Sequence, residues 1–344
     1  MISLGSDRLL NNGVPDIPPV PEGVSRPFWS VMIPTFNCAR FLHTTLESVL
    51  QQNYPPEAMQ IEVVDDCSDH DDPERVVREV GQGRIGFFRQ ARNLGHTGNF
   101  LTCLRRSRGE AIHILHGDDY LRPGFYARMG QVLHSNPSVG AAFCRHVIAD
   151  ENGHCMRISS LVREQAGIWA NGARELARKQ RIQTPSIVVR RSVYERLGGF
   201  DTRLSWTEDW EMWVRVAAHY PIWYEPEPLA VYRIREGSNT SRLILTGENI
   251  RDVRRCIDTF KDYFPPDERS EIVAAGRQRY GQFAIASARQ LFIRGQQKEA
   301  FLQLREALKC SCRLRVIRDV VRAVVVGQIR VGYRKFQPWL VRRS

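Results

Sequence analysis

Short apolar runs that stop abruptly at polar or turn-forming residues alternate with stretches of helical spacing through the first two-thirds of the chain. Residues 28–33, 61–64, 85–89 and 111–115 read as strands. The run at 111–115 is continuous, the pattern of a strand buried on both faces. Between the strands, residues 40–51 place Phe41, Leu42, Leu46, Val49 and Leu50 at helical spacing. Asp72 and Pro73 open a second helix as cap and first-turn proline, and residues 97–106 form a third. Strands alternating with helices predict a parallel α/β sheet, and the polar residues after each strand predict one shared edge.

Further on, residues 139–144 and 187–189 predict two more strands, and residues 191–197 a short helix stopped by Gly198 and Gly199. A helix opens at Glu208 and Asp209 and runs through Trp213, Val214, Val216 and Ala217. Residues 222–224 and 229–232 read as two short strands among prolines, and 237–241 as a polar loop. From about residue 248 the pattern is helical throughout. Residues 280–294, Gly295 and 298–309 suggest an antiparallel pair like one tetratricopeptide repeat, which cannot stand alone and calls for a supporting surface. The expected organisation is a flexible proline-rich arm over 1–27, an α/β domain over 28–247, and a helical region over 248–344 ending in a basic amphipathic tail.

Composition narrows the class. With 42% hydrophobic and 25% charged residues among 344, the chain has ordinary globular content. No apolar leader opens it and no run approaches 18 apolar residues. Its eight cysteines are scattered rather than spaced as a disulfide framework. These features predict a cytoplasmic location. The net charge of +11 predicts acidic partners. Nine basic residues against Asp319 alone put +8 of that charge into residues 313–344. There Leu314, Ile317, Val321, Val324 and Val325 share one helical face and Arg315, Arg318 and Arg322 another, followed by Trp339 and Leu340. Such a helix suits an anionic membrane surface, possible through 313–344. No basic, aromatic-interleaved sheet motif is present, so nucleic acid is not expected.

The chemistry concentrates where strand 111–115 meets His116, Gly117, Asp118 and Asp119. In open α/β sheets ligands lie outside the carboxyl ends of the strands, and Gly117 permits a close turn there. Two adjacent carboxylates at that place suit Mn²⁺ or Mg²⁺ shared with phosphate oxygens. A similar acidic strand end, Asp65 and Asp66, follows strand 61–64, and a third acidic pair, Glu208 and Asp209, begins a helix.

In that order and spacing, residues 31–37, 63–68, 93–99, 108–120, 198–201 and the Glu208–Asp209 pair resemble the family 2 inverting glycosyltransferases of GT-A fold, over about 28–241. The resemblance implies a Rossmann-like, mostly parallel central sheet flanked by helices, with an all-helical C-terminal extension. It implies transfer of a sugar from a nucleotide-sugar donor, UDP-linked by preference, to a saccharide or lipid-linked saccharide acceptor. Carried over residue by residue, it places Pro34, Thr35, Asn37, Asp65, Asp66, Arg92, Asn93, Gly117, Asp118, Arg233 and Arg235 at the donor. It places Asp118 and Asp119 at the metal. The general base falls on Asp209, with Glu208 beside it, and Trp206 and Trp210 fall at the acceptor. Two positions depart from the family pattern: His116 stands where the first acid of the Asp-x-Asp motif is expected, and Arg235 stands where a histidine is usual. These departures are the support for an alternative, a non-catalytic nucleotide-sugar-binding module. A nucleotidyltransferase ranks lower, because no glycine-rich, lysine-bearing loop follows the first strand.

Overall fold

The computed structural model describes residues 13–341 apart from 236 and 238, with side chains as far as 327. The chain divides into two compact units, one of residues up to 176 with 180–235 and one of 177–179 with 236–344.

The first unit is built on a single ten-stranded sheet. Its strands are β1 (Trp29–Thr35), β2 (Met59–Asp65), β3 (Gly86–Arg89), β4 (Ala111–Ile114), β5 (Tyr120–Leu121), β6 (Ala141–Ala149), β7 (Cys155–Ile158), β8 (Gly167–Ile168), β9 (Ile187–Arg190) and β10 (Ile222–Arg233). The order is β3-β2-β1-β4-β9-β6-β10-β5, with β7 on β6 and β8 on β10. β3, β2, β1 and β4 run parallel, whereas β9 is antiparallel to both β4 and β6. The chain proceeds from β1 to β2 and β3 on one side and returns to β4 on the other. The carboxyl ends of β1 and β4 therefore flank a topological switch point, where such sheets leave a ligand crevice.

Every residue of β1 is buried, which is why its sequence shows no alternation. Val31, Ile33, Leu42, Leu46, Val63 and Met129 belong to the core around it. Pro34 does not stop the strand, as the sequence suggests, but lies inside it. The ladder from β1 to β4 ends at Met32 and Ile114, and the Pro34 carbonyl takes the Gly117 N–H. A proline at this ladder end therefore forfeits little pairing.

The two strands expected over 222–232 are one strand, β10, with register shifts on either side of Pro228. The prolines create irregularities that the strand absorbs without ending. Helix Phe125–Ser135, helix Gly172–Arg178 and strands β5, β7 and β8 are additions to the expected pattern. The described part of the proline-rich arm is fastened down. Val14 and Ile17 are buried, the Pro15 carbonyl accepts from Gly199 N–H, and the Pro18 carbonyl accepts from Arg191. Residues 1–12 lie outside the described structure.

The second unit is helical. Helices Pro266–Ile293 and Gln297–Cys310 form the expected antiparallel pair across Gly295, whose φ of +82° suits a residue without a side chain. They share a core with Ile250, Val316 and Val320. Residues 239–241, expected in a loop, start helix Asn239–Thr246. Among the described residues no helix is long and apolar enough to cross a membrane.

Candidate active site

The turn after β4 is held from behind by helix Ala39–Leu50. Thr45 Oγ1 donates to the backbone carbonyls of Gly117 (3.1 Å) and Asp119 (2.6 Å), and Ser48 Oγ accepts from Leu121 N–H. Gly117 is required by close approach: a Cβ there would lie 2.5 Å from Thr35 Cγ2 and 2.9 Å from Cys38 Sγ. The ends of β1 and β4 are thereby drawn together.

Asp119 is fully buried. One carboxylate oxygen accepts from Arg233 N–H (2.8 Å) and the other meets His116 Nδ1 (2.9 Å). Burial pushes its pKa up to about 6, against the bond to His116 and with the nearby charge of Asp118. Burial pulls the His116 imidazole down, but the bond and charge of Asp119 outweigh it, and the net displacement is upward. Asp118 is more open and accepts Arg235 Nε at 2.5 Å. The candidate ligand atoms of His116, Asp118 and Asp119 all lie within 4.8 Å of one another. One imidazole and two carboxylates form a donor set that fits a divalent cation.

Arg233 and Arg235 approach the same turn. Arg233 is 93% buried, with its guanidinium over the rings of Phe41 (4.7 Å) and Tyr120 (5.1 Å). Its Nε and Nη1 find no hydrogen-bond acceptor among the described residues. A buried guanidinium with two orphaned donors is costly, and an anion is what would complete it.

The third acidic pair belongs to the same site. Helix Glu208–His219 is buried around most of its circumference, through Trp210, Met212, Trp213, Val214 and Val216, which fixes its first turn in place. Asp209 accepts from its neighbour's N–H (Trp210, 2.6 Å), from Gln180 (3.1 Å) and from Thr184 (3.3 Å). Burial and the charge of Glu208 raise its pKa to about 7. Glu208 pairs with His96 Nε2 at 2.7 Å, while its other oxygen is buried without a partner among the described residues. Burial lowers the His96 pKa, Glu208 more than compensates, and the net displacement is upward. The Phe100 ring stacks on His116 (5.4 Å) and meets His96 edge-on (5.8 Å), joining the two acidic pairs through one aromatic contact.

The remaining expected residues divide. Asp66 is buried, with one oxygen accepting Leu94 N–H at 2.7 Å, and burial raises its pKa. Asp65 is occupied within the protein: it accepts from Arg89 (2.8 Å), Ser68 Oγ (2.5 Å), Ser68 N–H (3.2 Å) and Thr35 (3.4 Å). These bonds fasten three strand ends together. Asn37, at φ +49°, spends its side chain on Asp69 and on the backbone of 69–70. Arg92 and Asn93 are exposed, and Asn93 Oδ1 accepts from Gly95 N–H to open the next helix. Trp206 is half-buried. Trp210 is 1% exposed and donates its indole N–H to the Leu176 carbonyl, so it offers no face to an acceptor and belongs to the core. His96 escaped the sequence reading; the available signal was a histidine beside a conspicuous Asn-Leu-Gly turn. Thr45 and Ser48 signalled themselves as polar positions on the apolar face of a helix.

The α/β sheet, whose switch point gathers carboxylates, a histidine and two arginines, with its flanking helices, has the GT-A fold. Residues 30–198 match the model for Glycosyl transferase family 2. The chain thus carries a family 2 glycosyltransferase domain. An uncharacterized protein of Mycobacterium tuberculosis is 29% identical over 251 residues, covering 68% of this chain and 75% of its own. An uncharacterized glycosyltransferase of Methanocaldococcus jannaschii is 24% identical over 63% of this chain and 74% of its own. Among solved structures, S. aureus TarS 1–349 in complex with UDP-GlcNAc superposes with a TM-score of 0.66 at 16% identity, covering 90% of this chain and 92% of that one. The mannosyltransferase PcManGT from Pyrobaculum calidifontis, in complex with GDP-Man and Mn²⁺, gives 0.56 at 19% identity over 97% and 88%. At these identities the likeness establishes the fold.

Proposed function

We propose that this protein moves a sugar from a nucleotide-diphosphate donor to an acceptor hydroxyl in one inverting displacement, serving cell-surface polysaccharide or glycolipid synthesis. The observation that carries the reading is the joining of Asp209, a carboxylate with pKa near 7, to a turn bearing His116, Asp118, Asp119 and the unsatisfied Arg233. A base is most effective when its pKa lies near the working pH. The UDP-GlcNAc complex of the TarS structure supports a UDP-linked donor.

Asp209 takes the acceptor's hydroxyl proton as that oxygen bonds to the anomeric carbon. The bond from that carbon to the diphosphate breaks on the opposite face, and the nucleoside diphosphate leaves with the electron pair. Glu208, held by His96, keeps Asp209 basic through its charge. Arg233 and Arg235 supply charge-assisted hydrogen bonds to the departing diphosphate. His116, Asp118 and Asp119 would hold a divalent cation, whose chemistry there is to offset the same developing charge. Asp66, beside the end of β1, receives the nucleoside, and the half-buried Trp206 borders the acceptor. A panel of nucleotide sugars with Mn²⁺, scored by mass transfer to acceptor and by donor hydrolysis, tests the reading. Turnover of one donor, lost in Asp209→Asn, is expected. Absence of turnover with every donor, together with retained nucleotide binding, would favour the non-catalytic module.

A further inference from the structure

Helix Leu314–Val341 uses one apolar face for packing and keeps a second in water. Val316 (0% exposed), Val320 (8%) and Ala323 (1%) enter the core of the helical unit. Gly327 continues that face, and a Cβ on it would lie 2.7 Å from the Phe292 ring. Of the residues that its sequence marked as the apolar stripe, Val324 alone packs against this core. The others, Leu314 (85% exposed), Ile317 (39%), Val321 (57%) and Val325 (52%), face solvent. At 100° per residue they fall on one strip, about 130° round the helix from the packed face. Arg315, Arg318 and Arg322 are exposed along the adjoining strip. Asp319 is the one carboxylate of residues 313–327, bonded to Gln282 and 3.7 Å from Arg318.

We infer that the exposed strip of Leu314, Ile317, Val321 and Val325, with Arg315, Arg318 and Arg322 beside it, is a docking surface for an anionic lipid bilayer. Aliphatic side chains beside a row of arginines on a helix already fixed by its other face match an interface between acyl chains and negative headgroups. A second copy of the chain fits poorly, because pairing the strip would bring like-charged arginine rows together. Trp339 and Leu340, which follow in the sequence, lie outside the described side chains. The docking surface is independent of the transferase reading.

The test is co-sedimentation of the full chain with vesicles of phosphatidylglycerol and phosphatidylcholine, compared with phosphatidylcholine alone. Binding is expected to the anionic vesicles, to weaken with salt, and to fall about fivefold for each arginine replaced in the series Arg315→Gln, Arg318→Gln and Arg322→Gln. The double variant Ile317→Asp/Val321→Asp should lose binding at least about tenfold while melting like the parent, because both side chains are exposed. Equal binding by this variant and the parent would overturn the inference, as would no binding by the parent. Self-association of the parent that the double variant abolishes, without vesicle binding, would assign the strip to a second copy instead.

Discussion

Two Asp-Asp pairs stand at strand ends of the same sheet, and Asp65 of the first has a fate opposite to that of Asp118 and Asp119 in the second. At the end of β2, Asp65 is enclosed by donors from Arg89, Ser68 and Thr35, and its carboxylate is fully employed within the protein. After β4, Asp118 and Asp119 meet His116, Arg235 and the Arg233 backbone, and beside them the Arg233 side chain keeps two buried donors unmet. Both pairs follow a buried apolar run, so strand-end position alone does not mark a ligand site. What separates Asp65 from the pair after β4 is the balance of hydrogen bonds: Asp65 is closed, and the pair after β4 leaves charge and donors that a ligand would complete.

The largest expected effect lies on the open side. Asp209→Asn should lower kcat about 10²–10⁴-fold, since an amide cannot take the acceptor proton. Nucleotide binding by the variant, read by calorimetry, should persist. Turnover close to the parent's would detach Asp209 from the chemistry and leave the open pair as a binding feature.

On the closed side the effect should be on stability. Asp65→Ala removes a buried carboxylate and strands the donors around it, at a cost of about 2–3 kcal/mol, moderated because Arg89 can rehydrate. Thermal unfolding should show it as a clear fall in Tm, whereas Asp118→Ala should melt near the parent. A variant at Asp65 that melts normally but loses nucleotide affinity would reverse the roles of the two pairs.

A pH profile gives a smaller effect with a definite sign. Asp209 acts as base only when deprotonated, and its pKa is raised to about 7. The kcat/KM should therefore fall on the acid side, approaching tenfold per pH unit well below 7. Glu208→Gln removes a charge that raises this pKa, so the acid limb should move to lower pH. His96→Gln removes an imidazole whose protonated form the charges of Glu208 and Asp209 favour, so the limb should move slightly higher. Limbs that stay fixed in both variants would assign the profile to another group.

The sequence made the parallel half legible because buried strands such as β1 and β4 carry continuous apolar runs, and glycine and acidic residues mark their ends. It was less informative where tertiary structure overrides local signals. β10 runs on through prolines because bulges absorb them, and the polar segment at 239–241 starts a helix. Asp118, Asp119, Asp209, His116 and Arg235 stand out in the sequence as polar positions at element ends, and the fold brings His116, Asp118 and Asp119 together. The closure of Asp65 was not legible there, since it depends on Arg89, 24 residues away. Trp210 misled for a related reason: helical spacing places it near the acids, but the helix turns its ring inward to Leu176. The link through Phe100 between His96 and His116 likewise needs the folded chain.

The central claim is that the open pair binds the diphosphate end of the donor together with a metal. Calorimetric titration of UDP into the protein, with Mn²⁺ and then with excess chelator, tests it on the parent and on Asp118→Ala. Mn²⁺-dependent binding by the parent, weakened by about tenfold or more in Asp118→Ala and insensitive to chelator in that variant, is the predicted result. Binding of equal strength in both proteins, with or without Mn²⁺, would contradict it.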